Sequence, residues 1–125
     1  MPRRLDHIDL RVPDLKQAES FYNKLLPALG FTRAVDIDGW IQFNAEAEVS
    51  EFFGVTESKT HQPNENRIAF WAISNDEVDR LAKLLREIGA QSIEGPGFDE
   101  GPTYYAVFFE DPFGNRFEIC HRTQN

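Results

Sequence analysis

Arg67-Ile68-Ala69-Phe70-Trp71-Ala72-Ile73 runs directly into Ser74-Asn75-Asp76-Glu77, and this stretch decides the fold because it restarts a pattern already used near Met1. Ile68, Phe70 and Ala72 alternate with Arg67, Ala69 and Trp71, the period of a strand with one buried face. Ser74 and Glu77 have capping-box spacing. Val78, Leu81, Ala82, Leu85 and Ile88 then recur at helical spacing, and Gly89 closes the helix.

Residues 5–12 open the same way, with Ile8, Leu10 and Val12 alternating with His7, Asp9 and Arg11. Pro13 ends that strand, and Asp14 with Gln17 starts a helix carried by Leu15, Ala18, Phe21, Tyr22, Leu25 and Leu29. Pro27 ends or kinks this helix, and Gly30 suits its C-terminal cap. The displacement between the two patterns is about sixty residues, long enough for a duplicated structural unit.

Three strands are predicted after each helix, at 31–37, 40–45 and 49–55 and again at 90–94, 104–110 and 116–121. Asp38-Gly39 is a hairpin signal, and Asp111-Pro112-Phe113-Gly114-Asn115 is a tight turn between the last two strands. The expectation is an α+β fold: two βαβββ units whose curled mixed sheets enclose a cleft, with the helices outside. Residues 1–125 form a single domain in this reading, with unit one at 1–56, a polar linker at 57–66 and unit two at 67–125.

The chain has 125 residues and a formal charge of −8, which repels phosphate backbones and anionic lipid, so neither nucleic acid nor membrane is an expected partner. Cys120 is the only cysteine, which leaves no intrachain disulfide and favours an intracellular setting. Arg3 and Arg4 have no apolar run behind them, so the start does not read as a signal peptide, and the cytoplasm is expected.

His7-Ile8-Asp9-Leu10-Arg11-Val12, Arg67-Ile68-Ala69-Phe70 and Asp111-Pro112-Phe113-Gly114-Asn115-Arg116-Phe117-Glu118 together resemble the vicinal oxygen chelate superfamily, the group of glyoxalase I, extradiol dioxygenases, and fosfomycin and bleomycin resistance proteins. The resemblance covers nearly the whole chain. It implies a divalent metal (Mn, Ni, Fe, Co or Zn) in the cleft, with His7 and Glu118 at ligand positions and Glu51 as the carboxylate closing the first unit. The remaining ligand, usually a His or Glu opening the second unit, is here Arg67. A guanidinium has no lone pair for a metal and stays charged, so it opposes a dication and suits a forked contact with Glu118 instead.

Each candidate therefore carries two readings. His7 is a ligand or general base, or a strand histidine hydrogen-bonded to Asp9 or backbone. Glu118 is a ligand or proton-moving base, or one arm of an ion pair with Arg67 or Arg11. Glu51 is a ligand or a solvated acid. Arg11, Arg67, Trp40, Trp71 and Tyr105 line a substrate pocket, or the aromatics are core. Residues 95–102 form a mobile lid or a plain connector.

Two functions follow from the resemblance. One is a metal-dependent lyase, isomerase or dioxygenase acting on a small vicinally oxygenated substrate, with Glu118 moving the proton and Arg67 stabilising charge. The other is a metal-free protein of the bleomycin resistance type that binds or sequesters a small molecule. Relatives of this kind commonly form homodimers, so a homodimer is expected.

Overall fold

The computed structural model describes residues 4–46 and 49–124. The chain divides between Gln62 and Pro63 into two compact units. Each is a strand, a helix and three further strands, so the α+β class and the doubled βαβββ order are both present.

Unit one contains β1 (His7–Val12), α1 (Leu15–Ala28), β2 (Arg33–Val35), β3 (Trp40–Asn44) and β4 (Phe52–Glu57). Its sheet has the order β1-β4-β3-β2, with β1 parallel to β4 and the other pairs antiparallel. Asp14 caps α1 by accepting a hydrogen bond from the backbone N–H of Gln17 at 3.0 Å. Pro27 sits within the last turn and does not stop the helix before Ala28; Gly30, at φ +100°, follows it. Phe21, Tyr22, Leu25 and Leu26 of α1 are buried and pack toward Phe53, Val55 and Ile41 of the sheet.

Unit two contains β5 (Arg67–Trp71), α2 (Asn75–Ile88), β6 (Gln91–Phe98), β7 (Tyr104–Glu110) and β8 (Arg116–Arg122). The order β5-β8-β7-β6, with β5 parallel to β8, repeats the first sheet. At α2 Ser74 accepts from Glu77 N–H, and the Glu77 carboxylate reaches back past the cap residue to accept from Ile73 N–H, both at 3.0 Å. Val78, Leu81, Ala82 and Leu85 face Val107, Phe109, Phe117 and Ile119, all buried.

Several boundaries differ from the sequence reading. The strand expected at 49–55 is Phe52–Glu57, with Val49 left 97% exposed ahead of it; Glu57 thereby leaves the expected linker. The strand expected at 31–37 shrinks to Arg33–Val35. The expected lid or connector at 95–102 is a correction: Gly95, Pro96, Gly97 and Phe98 belong to β6, which pairs with β7 through register shifts. Gly95 is required there, since it has φ +93° and a Cβ would stand 2.8 Å from the Ala106 carbonyl oxygen. None of the helices described is long and apolar enough to cross a membrane.

Candidate functional site

Side chains alternate across a strand, and in each unit the helix covers one face of the sheet. The other face carries nearly all the candidate residues. In unit two it presents Arg67 and Trp71 on β5, Arg116, Glu118, Cys120 and Arg122 on β8, Tyr104, Phe108 and Glu110 on β7, and Glu94 on β6. The register sets Arg67 beside Arg116, Arg116 beside Glu110, Glu118 beside Phe108, and Phe108 beside Glu94.

Glu118 is only 6% exposed, and its Oε2 has no hydrogen-bond partner among the described residues. Burial pushes the carboxyl above its usual range, Arg67 and then Arg122 pull it back, Asp99 raises it, and a hydrogen bond with Cys120 lowers it. The Cys120 thiol is itself pushed up, by burial first and by Glu118 second. The forked contact expected between Arg67 and Glu118 does not form. Arg67 instead lays its guanidinium over the Phe108 ring, 4.8 Å from the centroid. Arg122 does the same over Tyr104 at 4.1 Å. At one end of this face a cavity of about 260 Å³ is lined by Arg67, Arg116, Glu94, Glu110, Ser92 and Phe108, with Phe109 and Phe117 behind them.

In unit one the uncovered face presents His7, Asp9 and Arg11 on β1, Phe52, Gly54 and Thr56 on β4, and Trp40, Gln42 and Asn44 on β3. His7 stacks flat on Phe52 with ring centroids 4.5 Å apart, and its Nδ1 lies 2.7 Å from Asp6 Oδ2. Its partner is thus Asp6 rather than Asp9. Asp9 instead accepts from Arg11 at 2.9 Å and from the Thr56 hydroxyl at 2.8 Å. Trp40 Nε1 donates to Gln42, whose amide donates to Asn44. A cavity of about 190 Å³ runs along His7, Asp9, Trp40, Gln42, Phe52 and Gly54.

The remaining candidates separate from these groups. Glu51 precedes β4 and is exposed. Trp71 shares the parity of Arg67 but is 73% exposed. Tyr105 is a correction: its register partners are Phe98 and His121, and its hydroxyl donates to Asp79 of α2 at 2.6 Å, so it lies on the helix side of the sheet. Its neighbour Tyr104 takes the uncovered face. Sequence reasoning missed Tyr104, Phe108, Arg116 and Arg122, although strand alternation from Glu118 and Glu110 points to all four.

Among the described residues no three His, Cys, Asp or Glu side chains are grouped to hold a metal ion. Arg67, facing Glu118 from the next strand, adds a fixed positive charge where a dication would need another donor. Within unit two, therefore, Glu118 faces a fixed positive charge and no cluster of further donors among the described residues.

A family model described as the Glyoxalase/Bleomycin resistance protein/Dioxygenase superfamily matches residues 4–119. A glyoxalase/bleomycin resistance protein from Albidiferax ferrireducens is 27% identical, with a TM-score of 0.76 over 95% of this chain and 98% of that one. The fosfomycin resistance protein FosX from Mesorhizobium loti shares the fold at 22% identity, with a TM-score of 0.71 over 98% and 95% of the two chains. FosX from Listeria monocytogenes, solved with Mn(II) and sulfate, shares it at 21% identity and a TM-score of 0.70, over 98% and 93%. No curated protein matches the chain.

Proposed function

Because this chain belongs to the glyoxalase/bleomycin resistance protein/dioxygenase superfamily, we propose that it binds a small organic molecule on the uncovered face of its second sheet, without a resident metal. The observation that carries this reading is the position of Arg67. Its guanidinium rests on Phe108 and makes no ion pair with a described carboxylate, so it is available to an anionic group of a ligand. The same charge lowers the attraction of Glu118 for a dication. His7 and Trp40 line a cavity of the first sheet by themselves, and with Arg11 they are proposed as a separate ligand-contacting surface of that unit. The proposal includes the cytoplasm, on the strength of the single cysteine, and a homodimer, on the strength of the family.

The competing reading is a metal-dependent lyase, isomerase or dioxygenase, and the unpartnered Oε2 of Glu118 is what favours it. Elemental analysis of purified protein, with titration of Mn(II), Ni(II), Co(II), Zn(II) and Fe(II) into wild type, His7→Ala and Glu118→Gln, separates the two. Metal-independent ligand binding without stoichiometric metal supports the proposal. One metal per chain, lost in either variant, overturns it.

A further inference from the structure

The cavity at the end of the second sheet is walled by charges of both signs. Arg67 and Arg116 are register neighbours on β5 and β8, and Glu110 and Glu94 stand on β7 and β6. Arg116 and Glu110 face each other directly across the β7–β8 pair, yet no ion pair within 4 Å joins any of the four among the described residues. Glu110 accepts a hydrogen bond from the Ser92 hydroxyl at 3.3 Å, which helps to fix it without neutralising it. Phe108 lies between the two signs and holds the Arg67 guanidinium over its ring. Two guanidinium forks are matched to carboxylate oxygens. The two glutamates oppose a dianion such as phosphate and attract an ammonium.

We propose that this cavity takes a zwitterion, an α-amino acid with an apolar side chain. Its carboxylate lies between Arg67 and Arg116, its ammonium faces Glu110 and Glu94, and its side chain rests against Phe108. A volume near 260 Å³ holds roughly eight waters, and therefore a ligand of similar heavy-atom count. The inference names the ligand class for the metal-free binding reading and rests on that reading.

The test is calorimetric titration of the full-length protein, in the presence of a chelator, with three probes: L-leucine, 4-methylpentanoate, which lacks the ammonium, and 3-methylbutylamine, which lacks the carboxylate. Leucine is expected to bind at least tenfold more tightly than either truncated probe. Arg116→Gln is expected to weaken leucine and 4-methylpentanoate at least tenfold and leave the amine unchanged. Glu110→Gln is expected to weaken leucine and the amine and leave 4-methylpentanoate unchanged. Equal binding of the three probes, indifference to both substitutions, or no binding at millimolar concentration overturns the zwitterion site. Binding that appears only when Mn(II) replaces the chelator overturns the metal-free reading beneath it. Metal-free binding of a probe without the two-pole pattern leaves that reading standing and removes only the ligand class.

Discussion

The guanidinium of Arg67 lies 4.8 Å from the centre of the Phe108 ring, although β8 separates the strands that carry the two residues. The pair must therefore meet across the face of β8 that carries Arg116 and Glu118. This is why Arg67 is the strongest influence lowering the Glu118 carboxyl while making no ion pair with it. Phe108 gives the cation a surface to rest on, and the fork is left for another partner.

If that cation is what keeps a dication from Glu118, Arg67→His should admit one. The imidazole supplies a lone pair where the guanidinium supplies only charge. Mn(II) or Zn(II) is expected to bind Arg67→His at least tenfold more tightly than wild type, measured by competition with a chelating dye. Loss of the contact over Phe108 is expected to cost about 0.5–1 kcal/mol in thermal unfolding. Unchanged metal affinity in this variant means the guanidinium is not the obstacle.

Glu118 sets a pH dependence. Its folded pKa is raised, chiefly by burial, so the native state holds the proton more tightly than the unfolded chain. Its contribution to stability is therefore fully present below the unfolded carboxyl value, near pH 4.3, and is lost as pH rises through the folded value. Glu118→Gln removes the buried charge and is expected to raise the unfolding midpoint at pH 7. The gain should shrink toward zero below about pH 4. A variant less stable than wild type at pH 7 would show that Arg67 and Arg122 more than offset the burial.

Much of the uncovered face of each sheet could be read from alternation alone. His7, Asp9, Arg11, Arg67 and Glu118 follow from strands whose opposite residues are apolar, and the restart at Arg67 follows from a second cap and a second helical stripe. Tyr105 failed because Tyr104-Tyr105 offers two similar rings at opposite parities, and only pairing with β8 says which one α2 covers. The segment 95–98 failed because Gly and Pro read as a break, whereas a bulged edge strand accommodates both. The Arg67–Phe108 contact was out of reach for another reason: it joins non-adjacent strands, and strand order is not written in local periodicity.

The placement of Tyr105 has a direct consequence. Its hydroxyl bonds Asp79 of α2, and that bond, followed by burial, raises its pKa. Tyr105→Phe is expected to leave leucine affinity within twofold of wild type and to cost no more than about 1 kcal/mol of stability. A tenfold loss of ligand affinity would place the ring at the binding face after all.

The stretch Asp111-Pro112-Phe113-Gly114-Asn115, part of the most specific motif in the chain, is built for structure. Asp111 is fully buried, and its carboxylate accepts from the N–H groups of Phe113 and Asn115 at 2.9 Å and from the Asn115 amide at 2.8 Å. Gly114, at φ +96°, makes the turn, and any Cβ there would press on the Pro63 ring at 3.1 Å. This turn fixes the pairing of β7 with β8, and so the positions of Phe108, Glu110, Arg116 and Glu118 relative to one another. Asp111→Ala strands the buried Asn115 N–H and side-chain amide and the half-buried Phe113 N–H, and is expected to cost about 3 kcal/mol in denaturant unfolding. Because the turn positions the cavity without touching it, Asp111→Asn, which keeps one acceptor oxygen, should recover part of that stability. At temperatures where the variant is folded, its leucine affinity should stay near wild type. Lost affinity in a demonstrably folded Asp111→Asn would mean that the turn also contacts the ligand.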